Sequence, residues 1–207
     1  MNKRLLSLLL ACCFVFSLLP ISAMADEAQT TSGSCGDGVT WTLVDGVLTI
    51  SGTGAMDNYS WGETAPWHDM ADEIISIEVL SGVTSIGDNV FMDLPYVNLA
   101  AVSSSVKSVG LCAFKDCGSL ENVLLEEGLL TISDSAFADC SQLQSIDIPN
   151  SVESIGDCAF QNCSNLRTIT LPTGITSIGM SAFNGCTSLN NISIPERPSY
   201  VTARHRP

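Results

Sequence analysis

Asp93, Asp116, Asp139, Asn162 and Gly185 recur at a constant step of 23 residues. Carboxylates stacked at the strand repeat of about 4.8 Å could hold calcium. The residues that replace one another along this line argue for another use. Asp, Asn and Gly share a tolerance of left-handed backbone rather than an affinity for metal, so the column is expected to be a turn position with φ > 0, and no metal is assigned. A second column, Cys117, Cys140, Cys163 and Cys186, begins as Leu94, and Cys35, Cys112 and Cys158 lie outside it. Equivalent residues of stacked repeats carry parallel side chains about 4.8 Å apart, whereas a disulfide needs Cβ atoms about 3.5 to 4.5 Å apart and turned towards each other. The column is read as small buried hydrophobes. A third group, Tyr59, Trp61, Trp67 and His68 in "MDNYSWGETAPWHDM", could stack on a sugar or take part in catalysis. The preferred reading is that packed tryptophans cover the end of a core, with the sugar contact as the alternative. The two histidines, His68 and His205, lie in a turn-rich stretch and in a basic tail. No nucleophile–base–acid set, glycine-rich phosphate loop or close His/Cys cluster accompanies them, so no enzyme and no cofactor are read.

The elements that must position these residues follow from the same step. Phe91, Phe114, Phe137, Phe160 and Phe183 keep it, as do Ile86, Val109, Ile132, Ile155 and Ile178. A fixed period of this length marks a solenoid, in which each unit is one coil that cannot bury its apolar face alone. In one unit "QSIDIP" alternates, with Ile146 and Ile148 inward and Ser145 and Asp147 outward, and reads as a short strand closed by Pro149. Val152 and Ile155 return the chain to the core, Gly156-Asp157 turn it, and "CAFQNCSNL" supplies a short helical or irregular arc. The expected fold is thus an α/β leucine-rich-repeat solenoid with short parallel strands on its concave face. Before it, "VTWTLVDGVLTISGTG" gives two alternating runs around Asp45-Gly46, a β-hairpin expected to cap the first coil.

Alternation leaves Leu99, Ala101, Asn122, Leu124, Ser145, Asp147, Thr168, Thr170, Asn191 and Ser193 facing outward from the strands, and these are the candidate partner-binding residues. All are small or uncharged except Asp147. Leu99 and Leu124, in neighbouring strands, are apolar where a solvated strand usually carries Ser or Thr. They either form a small exposed patch or merely pack on each other. Trp61 and Trp67 are the alternative, glycan-contacting candidates.

The first 25 residues have Lys3 and Arg4, an apolar run and Ala23-Met24-Ala25, the pattern of a secretory signal peptide cleaved after Ala25. The chain divides into this leader, a hairpin region at 26–73, a solenoid of about five repeats and a partial sixth at 74–195, and an irregular basic tail at 196–207. Across the 207 residues 22 acids oppose 8 Lys plus Arg, a formal net charge of −14. That balance disfavours nucleic-acid binding and polybasic attachment to an anionic membrane, and the mature chain carries no membrane span.

The unit "LQSIDIPNSVESIGDCAFQNCSN" resembles the repeat of the bacterial BspA-like leucine-rich-repeat family, over residues 74–195. The resemblance implies a secreted or cell-surface protein that binds other macromolecules, host and matrix proteins among them, and mediates adhesion. It identifies no ligand, because the family motif is structural. Two departures stand out. Leu94-Pro95-Tyr96 and "NLAAVSSS" make the early coils irregular, and "ERPSYVTARHRP" ends the array abruptly. The first is expected to leave the early coils looser; the second raises the alternative of a truncated array with no ligand of its own, and Ile192 and Ile194 are expected to leave an open strand edge.

Overall fold

The structure is a computed structural model that describes residues 31–193; the leader and the basic tail read from the sequence lie outside these residues, as does Ile194. Two sheets run along the molecule. The longer has nine strands and the shorter has six.

Each coil contributes one strand to each sheet. In the long sheet these are β5 (Ser76–Val79), β7 (Leu99–Val102), β9 (Asn122–Leu125), β11 (Ser145–Asp147), β13 (Thr168–Thr170) and β15 (Asn191–Ser193). All pair in parallel and in a register that advances one sequence period per strand, Ser76 opposite Leu99, Leu99 opposite Asn122, and so on to Thr168 opposite Asn191. The short sheet takes β4 (Gly54–Ala55), β6 (Val83–Ile86), β8 (Ser108–Val109), β10 (Thr131–Ile132), β12 (Ser154–Ile155) and β14 (Ser177–Ile178). Inward residues of both sheets, such as Ile77, Ala100, Val123, Ile146 and Ile169 on one side and Ile86, Val109, Ile132 and Ile155 on the other, are buried.

The third side of each coil corrects the expected α/β class. It holds no α-helix, and the helical content of the described residues is the 3-10 segment His68–Glu73. The reason lies in backbone conformation. Asn89, Cys112, Ser135, Cys158 and Ser181 have φ of 52–58°, and Asp93, Asp116, Asp139 and Asn162 have φ of 59–63°, with Gly185 at 79°. The expected turn column is therefore left-handed at every repeat, and a second such column sits four residues before it. With residues four apart turned in this way, alternate N–H groups point along the solenoid instead of back to the preceding turn. Cys112, Phe114 and Asp116 donate to the carbonyls of Asp134, Ala136 and Ala138 in the next coil, and the pattern repeats at Ser135, Phe137 and Asp139. All three sides of a coil are thus hydrogen-bonded to the next, which satisfies buried backbone groups without a helix. The molecule is a parallel β-solenoid of the leucine-rich-repeat kind.

The phenylalanines stack in file along this core. Ring centroids of Phe114 and Phe137 are 5.1 Å apart with planes 5° from parallel, and Phe137, Phe160 and Phe183 continue the stack at 5.4 and 5.6 Å. The cysteine column is buried beside it at Cys117, Cys140 and Cys163 and half-buried at Cys186, and all seven cysteines among the described residues are free. Each column thiol donates to the carbonyl of the phenylalanine one coil back, Cys117 to Phe91, Cys140 to Phe114, Cys163 to Phe137 and Cys186 to Phe160, all at 3.1 Å. Burial pushes the Cys117 thiol up to about 12. The column is apolar packing, as its composition suggested, with a weak sulfur–oxygen ladder added.

Ahead of the array, β1 (Thr31–Gly36), β2 (Val39–Val44) and β3 (Val47–Gly52) pair antiparallel. Asp45 and Gly46, with φ of 49° and 79°, form the two-residue turn that the Asp-Gly dipeptide favours. Then β3 pairs in parallel with β5, so these strands extend the long sheet.

Candidate partner-binding face

The outward columns of the long sheet follow from its register. One column runs Ser76, Leu99, Asn122, Ser145, Thr168, Asn191, and the other runs Glu78, Ala101, Leu124, Asp147, Thr170, Ser193. The ten candidate residues therefore share one face. Asn122, Leu124, Ser145, Asp147, Thr168 and Thr170 are exposed, and Leu99 and Ala101 are half-buried. Asn191 and Ser193 belong to β15, and their side chains lie outside what is described.

The two leucines do not oppose each other. Leu99 pairs with Asn122 and Leu124 with Ala101, so they occupy a diagonal across β7 and β9 rather than one rung. A diagonal of this kind remains within reach of long side chains. Leu124 is 42% exposed, a large apolar group standing among Asn, Ser, Thr and Ala.

Sequence reasoning stopped this face at the array, yet the sheet continues beyond it. Val47 lies opposite Ser76 and Thr49 opposite Glu78, while Val44 and Thr42 on β2 extend the same rows. The alternation in "VTWTLVDGVLTISG" carried that signal, since Thr40, Thr42 and Val44 are outward in the same sense as Thr49 and Ser51.

The aromatic candidates separate. Trp67 is 1% exposed, its ring stacked on Phe91 at 5.5 Å and met edge-on by Trp41 at 5.8 Å. It serves as the next ring of the phenylalanine file, so neither face is open to a sugar, and its assignment as a glycan contact is withdrawn. Trp61 is 79% exposed. It lines a cavity of about 190 Å³ with Glu63, His68, Asn89 and Asp93.

Charge elsewhere is used between coils. Lys115 pairs with Asp116 and approaches Asp139 at 3.9 Å, placing a cation inside the left-handed acidic column. The Glu127 carboxylate accepts hydrogen bonds from Asn150 and Ser151 of the next coil, and the Asn150 backbone bond leads in holding it below the usual carboxylate range. Among the described residues no three His, Cys, Asp or Glu side chains form a metal-holding group, and no helix is long and apolar enough to cross a membrane.

Comparison with known proteins agrees with this architecture. The sequence pattern described as a BspA type leucine rich repeat region matches residues 84–204 in six copies. No curated protein matches the chain. Among solved structures, the chain is similar to a leucine-rich repeat protein from Eubacterium ventriosum, with 30% identity and a TM-score of 0.71 over 79% of this chain and 43% of that one. It is similar to a leucine rich cell surface protein from Faecalibacterium prausnitzii, with 30% identity and a TM-score of 0.57 over 76% of this chain and 38% of the other. A leucine rich repeat protein from T. pallidum, 23% identical with a TM-score of 0.59, covers 84% of this chain and 72% of its own, and speaks to the fold alone. The chain spans less than half the length of the Eubacterium and Faecalibacterium proteins.

Proposed function

The chain belongs to the BspA-type leucine-rich-repeat family, and we propose that it is an exported, non-catalytic binding protein that engages a protein partner through the outward face of its nine-stranded sheet. The observation that carries this reading is the face itself. In an acidic protein it is lined mostly with small uncharged side chains, Glu78 and Asp147 being the carboxylates of its parallel rows, and it exposes Leu124 diagonally from Leu99. A face with few charges and an apolar centre is suited to a protein surface, because contact there desolvates few charges.

Export is supported by the leader pattern of residues 1–25 and by the likeness to a Faecalibacterium protein described as a cell surface protein. Adhesion to host or matrix proteins is the use that the family resemblance implies. In the same reading β1 to β3 are the cap of the solenoid, with Trp41 closing the ring file. A glycan reading keeps one specific support, the 79% exposure of Trp61.

The test is a double substitution, Leu99→Ser with Leu124→Ser, screened against a panel of matrix proteins and a glycan array. The expected result is loss of the protein partner with little change in melting temperature, since neither side chain belongs to the core. Unchanged binding would remove the sheet face from consideration.

A further inference from the structure

We propose that the cavity beside Trp61, which is separate from the sheet face, receives the ammonium group of a lysine side chain presented by a partner protein. The cavity lies where residues 60–68 fold against residues 89–94 of the array, and its volume of about 190 Å³ suits one inserted side chain rather than a chain of sugars. Three features of its wall select the chemistry.

The first is an indole with no structural use. Trp41 and Trp67 are consumed by the ring file, whereas Trp61 is 79% exposed at the cavity. An indole face attracts a cation, most strongly where water is partly excluded. The second is unopposed negative charge. Glu63 and Asp93 line the cavity, and residues 31–106 contain ten Asp and Glu but no Lys or Arg. Asp93 is the member of its column left without a cation. Its equivalents Asp116 and Asp139 have Lys115 between them, and no ion pair reaches Asp93 among the described residues. The third is an unused acceptor. Asn89 donates its Nδ2 to the carbonyl of Tyr59 at 2.6 Å, which fixes the amide and leaves its buried Oδ1 with no partner.

A wall of two carboxylates and a π face, with an unpartnered amide oxygen buried behind it, asks for a ligand that donates and does not accept. A lysine ammonium has three donors and no acceptor. A sugar hydroxyl requires donors as well, and the side-chain donors of this wall are neutral ones, Ser60, Thr64, His68 and the Trp61 indole edge, set beside two carboxylates. A guanidinium prefers two carboxylate oxygens side by side, and since one oxygen of Glu63 already accepts the Ser60 amide at 2.8 Å, Asp93 is its one bidentate partner here, whereas an ammonium can use single oxygens of both. The geometry therefore favours the compact charge of lysine.

The full chain, labelled with nitrogen-15, is titrated with Nα-acetyl-lysine methylamide, with the uncharged norleucine counterpart and with N-acetylglucosamine, and shifts are read at the Gly62 and Asn89 amides. Saturable movement with the lysine compound alone, weakening as salt is raised, is expected. Trp61→Leu should weaken it about tenfold. Glu63→Gln and Asp93→Asn should each weaken it about threefold. Asp93→Asn keeps a residue that accepts the left-handed backbone, so both amide variants should melt like the parent. Equal response to norleucine, a response to the sugar instead, or unchanged affinity in both amide variants would overturn the assignment.

Discussion

Phe160 is fully buried, and its ring lies between those of Phe137 and Phe183 at 5.4 and 5.6 Å. Its removal leaves a void that neighbours in two coils cannot both relax to fill, so Phe160→Ala should cost about 3 to 5 kcal/mol in urea unfolding. An unchanged midpoint would show that the stack contributes nothing. The buried protons make a second prediction. Burial raises the Cys35 and Cys117 thiols from 9.0 to about 12, and burial followed by the charge of Asp57 raises Tyr59 from 10.0 to about 12. Between the ordinary and the folded values the unfolded chain releases protons that the folded chain keeps, so stability should fall as pH rises from about 9 towards 12. Urea midpoints across that window check it, and a flat profile would contradict it. At this scale the phenylalanine and cysteine columns were legible, because a constant step exposes any residue that stacks. Trp67 was legible as a packed tryptophan but not as a member of the file, since it stands 24 residues before Phe91 rather than 23.

The arcs between the sheets are held by a side-chain ladder with one rung missing. Asn58 Oδ1 accepts the Asp88 amide at 2.8 Å, Asp88 accepts that of Leu111 at 2.7 Å, Asp134 that of Asp157 at 2.7 Å, and Asp157 that of Met180 at 2.5 Å. Leu111 occupies the intervening position, 42% exposed, and offers the Asp134 amide no acceptor. Leu111→Asn supplies one without adding charge to an acidic chain, and should stabilise the protein by about 0.5 to 1 kcal/mol. A lower melting temperature would mean that the leucine packs better than its exposure implies. The strands, their inward and outward columns and the Asp93 turn column could all be read from the sequence, since alternation and φ tolerance are written in residue types. The second left-handed column could not. Cys112, Ser135 and Cys158 carry no such tolerance in their side chains, and the next coil imposes the conformation by accepting their amides. The same coil-to-coil bonding decides between the helical and the irregular arc that the sequence left open, which a single repeat cannot foretell.

Along the whole molecule each coil bonds to its two neighbours, so stability is a sum of local terms rather than the property of one centre. Those terms are unequal. From Phe91 to Phe160 every ring is fully buried, and at the front the file continues through Trp67 to Trp41 beneath an antiparallel meander. In the coil of β14 the equivalents Ile178, Phe183, Cys186 and Leu189 are partly buried and pack against the core from its side. Amides whose opening exposes little apolar surface exchange most readily, and in a solenoid such opening spreads from the weaker end. Hydrogen exchange should therefore be slowest at the amides of Phe114 and Phe137, whose rings are 5.1 Å apart in the middle of the file. It should quicken through Phe160 to the coil holding β13 and β14. Phe160→Ala, placed at that boundary, should speed exchange on its β15 side much more than at β3 or β5, whereas a globular core would answer uniformly. Uniform acceleration from β1 to β13 would show that the array unfolds as one unit, and that the ring file couples its coils more strongly than nearest-neighbour bonding allows.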